Sequence, residues 1–244
     1  MFPGHYERAG LFVAYGVSDA NVDGLVTNPA ATAYIFQHTG SINLDAWSGG
    51  VYWTHVGPSG WYLDGVLQGT TYYGNASTPI SRLVTDGWGF LASLEGGYPI
   101  PLGFWQRFVL EPQAQIIWQH VGFSQQFDGI DPIGLGSTSG WTGRLGLLAQ
   151  STIVTDSGQV WQPYVRANLW HDWDANAGTT FYPSTIQVPL LEGATRLEFA
   201  GGGTVKINPN WSFFGQAGYQ FAVASNNNVR RNGFTGDFGL RYTW

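Results

Sequence analysis

Few residues in this chain are suited to chemistry. The segment His171-Asp172-Trp173-Asp174-Ala175-Asn176 sets an imidazole beside two carboxylates. Such a pair can activate water as a general base, or begin a metal site. Asp128, Asp131 and His38 belong to connections expected at the same end of the molecule, so a rim-active hydrolase is one reading of these residues. The other is that acidic loops are simply solvated. Asp237-Phe238-Gly239 spells the magnesium-binding tripeptide of protein kinases, but only five residues follow it and no catalytic loop precedes it. Gly201-Gly202-Gly203-Thr204 is not a phosphate loop, because no Gly-Lys-Ser/Thr follows.

Composition narrows the classes. Charged residues make up 11% of the 244-residue chain and aromatic residues 16%, against about 25% charged in an ordinary soluble domain. A surface so poor in charge does not all face water. No segment approaches the ~20 consecutive apolar residues of a spanning helix, so a membrane crossing has to be made by strands. A net charge of −6 with only ten basic residues leaves no electrostatic footprint for nucleic acid. The absence of cysteine removes disulfides and thiolate ligands. The first residues have no basic region followed by an apolar run and a cleavage site, so the expectation is one domain, residues 1–244, cut from a longer precursor.

Such a domain must position its residues on strands. Apolar residues recur at alternate positions in segments of about ten, and 35 glycines punctuate the intervals. The pattern predicts ten strands, near 8–18, 43–56, 60–74, 86–99, 107–122, 140–153, 160–173, 194–207, 210–224 and 234–244. The connections alternate: residues 19–42, 75–85, 123–139, 174–193 and 225–233 are long, the others tight turns. In an up-and-down barrel every second connection lies at the same rim, which puts all the long ones together. Transmembrane barrels have that asymmetry.

The alternation also sorts side chains. In the last strand Phe238, Leu240, Tyr242 and Trp244 share a face, opposite Asp237, Gly239, Arg241 and Thr243. Assigning every strand's outward side from its large apolar residues places Asp64, Glu95, Glu111, Gln113, Gln115, Arg144, Arg166, Glu198, Lys206, Asp237 and Arg241 inside, as lumen-lining residues. Asp45 is the exception, on the outward side near the long-loop end, and His171 is outward too. Rings such as Tyr52, Tyr62 and Phe214 are expected over inward glycines of neighbouring strands. Trp53, Trp61, Trp105, Trp161, Trp211 and Trp244 lie beside the tight turns or the terminus, which reads as an aromatic girdle at one membrane interface.

Seven segments carry a family resemblance: "GWYLDGVLQGTTYYG", "GWGFLASLEGGYPIP", "LEPQAQIIWQHVGF", "GRLGLLAQ", "PYVRANLWHDW", "WSFFGQAGYQF" and "GDFGLRYTW". In order and spacing they resemble the C-terminal translocator domain of bacterial autotransporters, from about Glu7 to Trp244. The resemblance implies an all-β, antiparallel up-and-down transmembrane β-barrel in the Gram-negative outer membrane. About ten strands are present of an expected twelve, so the first two strands, the pore helix and the passenger would lie upstream. It implies type V secretion, in which a monomeric barrel anchors and exports its own N-terminal passenger, with no enzyme activity and no cofactor. Its partners would be membrane lipid and the barrel-assembly machinery. Long loops would be extracellular and short turns periplasmic. Asp237, Gly239, Tyr242 and Trp244 match the family's terminal assembly signal, while their plainer reading is a lipid-facing strand ending in an interfacial anchor. A porin-like diffusion pore and the rim hydrolase stay open as alternatives.

Overall fold

The computed structural model describes residues 4–30, 32–103, 107–127, 129, 132–181, 184–189, 194–224 and 232–244; between 174 and 193 the description is of backbone only. The alternating segments form ten long strands. These are β1 (Tyr6–Thr27), β2 (Tyr34–Val56), β3 (Tyr62–Ser77), β4 (Arg82–Gly97), β5 (Phe108–Phe123), β6 (Ser137–Ser151), β7 (Val160–Phe181), β8 (Thr195–Lys206), β9 (Trp211–Ala224) and β10 (Gly233–Tyr242). Each pairs with its neighbours in sequence, antiparallel, in one curled sheet from β1 to β10. Among the described residues no ladder joins β1 to β10.

The strands stand where the alternation predicts, but strand runs on into the long connections; the β3–β4 ladder, for one, continues to Ser77 opposite Arg82. β1 and β2 run on as one ladder to Thr27 opposite Tyr34, around a turn closed by Asn28 N–H on the Ala33 carbonyl at 2.9 Å. The sequence reading stops at Ser18 because the outward positions of β1 turn polar at Asp19 and Asn21. Beyond them the register shifts at Val22/Asp23, where Thr39 is an extra residue on β2, and Leu25 and Phe36 still pair past it. Likewise β7 continues past an irregularity between Trp173 and Asn176 to pair with Ser184–Pro189. In the connection after β5, Gln125–Phe127 pairs with Pro132–Gly134, which itself touches the end of β7.

Burial is inverted relative to a soluble sandwich, whose inner faces are apolar. Among the described residues the buried apolar side chains are Leu83, Ala194 and Ala200, whereas Arg144, Asn168, Asp172, Arg196 and Glu198 are all buried. Leu11, Val13 and Phe238 are 82%, 86% and 93% exposed. On β1 the outward residues Ala9, Leu11, Val13, Tyr15 and Val17 give way to Asp19 and Asn21. At about 3.3 Å per residue that stretch is roughly 30 Å long, enough for a tilted strand to cross a bilayer core.

Rings fill the space that glycines leave on the enclosed face. Phe12 lies over Gly50, Tyr52 over Gly10, Tyr62 over Gly97 and Phe214 over Gly239, pinning the register from strand to strand. A Cβ at Gly50 would stand 2.3 Å from the Phe12 ring and 2.6 Å from the Leu67 carbonyl oxygen, whereas one at Gly49 would meet nothing within 4 Å. Gly50→Ala is therefore expected to cost about 1–3 kcal/mol through overpacking, and Gly49→Ala no more than about 0.5 kcal/mol. Urea unfolding in micelles measures both, and equal midpoints would contradict this packing.

Candidate functional site

The ladders bring polar residues of several strands onto one face. One row runs Glu95, Gln115, Arg144, Trp170, Arg196 across β4 to β8, and the next runs Gln113, Gly146, Asn168, Glu198, Gln220 across β5 to β9. Arg144 reaches Glu95 at 2.8 Å, and Glu95 also accepts from the Tyr62 hydroxyl at 2.9 Å. Gln113 donates to Glu111 at 2.7 Å and to the Tyr62 oxygen at 3.1 Å. The Trp170 ring lies under two guanidiniums, Arg144 at 5.5 Å and Arg196 at 6.0 Å, while its N–H donates to Glu198 at 2.7 Å. Arg196 pairs with Asp172 at 2.9 Å, which accepts from Thr142 as well. Arg166 joins Glu198 at 3.4 Å and Gln216 at 3.3 Å, and Gln216 continues the chain to Asp237. Buried charges are tolerated only when paired and hydrogen-bonded, and cross-strand neighbours on one face supply that pairing.

All the inward residues named from the sequence fall on this face. Glu95, Glu111, Gln113 and Arg144 come together, as do Arg166, Glu198 and Asp237 through Gln216. Gln115 donates to Ser93, and Asp64 stands opposite Glu95. Lys206 and Arg241 flank Ser212 at the short-turn end. Trp170, Asp172 and Arg196 join this face without having been named from the sequence, although their parity on β7 and β8 is the same as that of Asn168 and Glu198.

The structure separates Asp172 from His171. Consecutive residues of a strand point to opposite faces: Asp172 joins Arg196 within the polar face, while His171 Nδ1 meets the Thr195 hydroxyl at 2.8 Å beside the Trp173 ring. The proposed imidazole–carboxylate pair of His171 with Asp172 is not formed. Asp128, Asp131 and the Asp174 side chain lie outside the described residues. His38 pairs with Asp23 at 3.5 Å on the β1–β2 extension. Among the described residues no three metal-ligating side chains converge. Asp45 is outward as expected, and the Tyr15 hydroxyl donates to it at the level where the outward positions turn polar.

Trp53, Trp61, Trp161, Trp211 and Trp244 stand at the short-turn rim; Trp105 lies outside the described residues. The Trp211 and Tyr242 rings meet at 4.7 Å, and Tyr242 touches Trp244. A second belt, which the sequence reading missed, crosses the outward face toward the long connections. Trp118, Trp141 and Trp173 form one row of the sheet, and on β1 to β4 Tyr15, Trp47 and Trp88 stand exposed in a separate row through Thr71, with Tyr73 exposed two residues further along β3. Two belts bounding an apolar band are the signature of a membrane-spanning barrel.

The model of the autotransporter β-domain family matches residues 4–218. The chain belongs to that family. Among the relatives of this β-domain, the BrkA autotransporter of Bordetella pertussis is 29% identical over 71% of the chain, and the BmaC adhesin autotransporter of Brucella suis is 28% identical over 96%. The chain spans 19% and 7% of their lengths. In fold it is similar to the β-domain structure of Bordetella BrkA, with a TM-score of 0.73, 21% identity, 99% of this chain and 84% of that chain covered. It is also similar to the transport unit of AIDA-I from Escherichia coli, with a TM-score of 0.51 at 17% identity and coverage of 98% and 84%. The β-domain is an outer-membrane translocator of the type V secretion class.

Proposed function

We propose that this β-domain works as part of a twelve-stranded monomeric barrel that brings an N-terminal passenger, its own upstream sequence, to the cell surface. Ten of those strands are β1 to β10; the other two and a lumen-threading helix belong upstream. The observation that carries this reading is the inverted burial, with paired charges enclosed and leucines, valines and phenylalanines exposed. The polar face lines the lumen. Its near-balance of acids and bases, already engaged with one another, offers a passing chain a hydrated wall without tight attachment. The long connections are extracellular and the short turns periplasmic, lipid covers the outward band, and no catalytic step is assigned to the barrel.

Asp237, Gly239, Tyr242 and Trp244 form the assembly signal read by the barrel-insertion machinery. β10 presents an outer edge in the described sheet to which an insertion factor can add a strand. Removing Tyr242 and Trp244 from the full precursor is expected to reduce both heat-modifiable barrel and surface-exposed passenger several-fold. Gel shift and protease shaving of intact cells read the two. Unchanged barrel and passenger would refute the assembly role.

A further inference from the structure

At the short-turn rim, outside the polar face, three ionisable side chains line up. Glu7 Oε1 lies 2.6 Å from His55 Nδ1, and His55 Nε2 lies 3.1 Å from His5 Nδ1. Glu7 and His55 are direct partners across β1 and β2. His5 is brought in by the chain just ahead of β1, where Gly4, at φ +79°, packs on Pro58 of the β2–β3 turn. The cluster is walled by rings. Trp61 is 5.1 Å from the His55 ring and 6.2 Å from His5, and the Trp53 N–H holds the other Glu7 oxygen at 2.7 Å. The two imidazoles meet nitrogen-first, with centroids 5.2 Å apart and planes tilted by 43°.

Proton counting gives the pair its chemistry. The Glu7 carboxylate can only accept, so His55 carries its proton on Nδ1 and turns the Nε2 lone pair toward His5. In the metal-free cluster the Nδ1–H of His5 fills that gap. Moving that proton to His5 Nε2 through solvent leaves two lone pairs facing each other across 3.1 Å. Metal–imidazole bonds of about 2.0–2.1 Å spanning that separation subtend an angle a little wider than a right angle, so the ion sits off the line between the nitrogens and each ring turns on its side-chain bonds to aim its lone pair at it.

We propose that His5 Nδ1 and His55 Nε2 bind a divalent transition ion of the zinc class at this rim, completed by water, with Glu7 as the positioning residue. Two coordinate bonds form, one proton shifts within His5, and nothing is oxidised or reduced. A carboxylate fixing the tautomer of a ligating histidine is the usual outer shell of such sites. The bound ion would tie the segment before β1 to the end of β2.

The test is site-resolved histidine modification of the full precursor in outer-membrane fractions, using diethylpyrocarbonate with and without zinc chloride and peptide mass spectrometry. Zinc is expected to protect His5 and His55, leaving His38, His120 and His171 reacting as before. His55→Ala should abolish protection of His5, while Glu7→Ala should raise the zinc concentration needed by about 10–100-fold. Heat-modifiability confirms that each variant is folded. Modification of His5 and His55 unaffected by excess zinc in the wild type would overturn the site, as would protection of His5 that survives in folded His55→Ala. Both results are independent of passenger export.

Discussion

Asp172→Ala is expected to lower the stability of the folded barrel by about 3–5 kcal/mol, the range for removing one partner of a buried ion pair. Arg196 is about nine-tenths buried, and its carboxylate partner lies 2.9 Å away. Losing that carboxylate leaves a guanidinium between the Trp170 ring and Gln220 with much of its counter-charge gone. Arg196→Ala should cost a comparable amount by stranding Asp172 with Thr142 alone. The double variant Asp172→Leu/Arg196→Met should recover most of the loss, because the larger part of either single penalty is the uncompensated charge rather than the pair itself. Urea titrations of the purified precursor in micelles, read as a double-mutant cycle, measure the coupling. Strictly additive single losses would mean that water, and not the partner, satisfies these groups.

Leu145→Arg carries the second large effect. Leu145 is 64% exposed on β6, opposite Leu169 of β7. Its outward column lies between the Trp161 rim and the Trp141–Trp173 row. A residue near the middle of the apolar band should pay about 2–4 kcal/mol for a charge facing hydrocarbon. Gln113→Arg, on the enclosed face, should cost less because Glu111 lies beside it to pair the new charge, even with the acceptor of Arg144 removed. The same titrations in lipid vesicles compare them. Equal tolerance of Arg at the two positions would reverse the assignment of faces. Leu240→Arg against Thr243→Arg repeats that comparison on β10, with a smaller difference nearer the interface.

The strands and the sorting of their faces were legible because both rest on period-two alternation, which short segments such as Phe238 to Trp244 carry in full. What broke the reading was local. Asp19 and Asn21 end the apolar alternation of β1, and the extra residue Thr39 shifts the parity of β2, so the continuation of both strands was hidden. Asp172 and His171 are adjacent in sequence, which suggests a pair, but consecutive residues of a strand face opposite ways and the fold divides them. The upper aromatic belt was missed because Trp118, Trp141 and Trp173 are separated by whole connections and share a row only through the ladder register.

Residue types and their spacing were enough to establish the number of long strands, the outward and enclosed sides, the asymmetry of the connections and the family resemblance, since each is a property of one segment or of the order of segments. Which enclosed charge pairs with which, and the union of His5, Glu7 and His55, depended on the tertiary structure. Those contacts join positions as far as fifty residues apart, and only the stagger between neighbouring strands decides which side chains stand opposite one another.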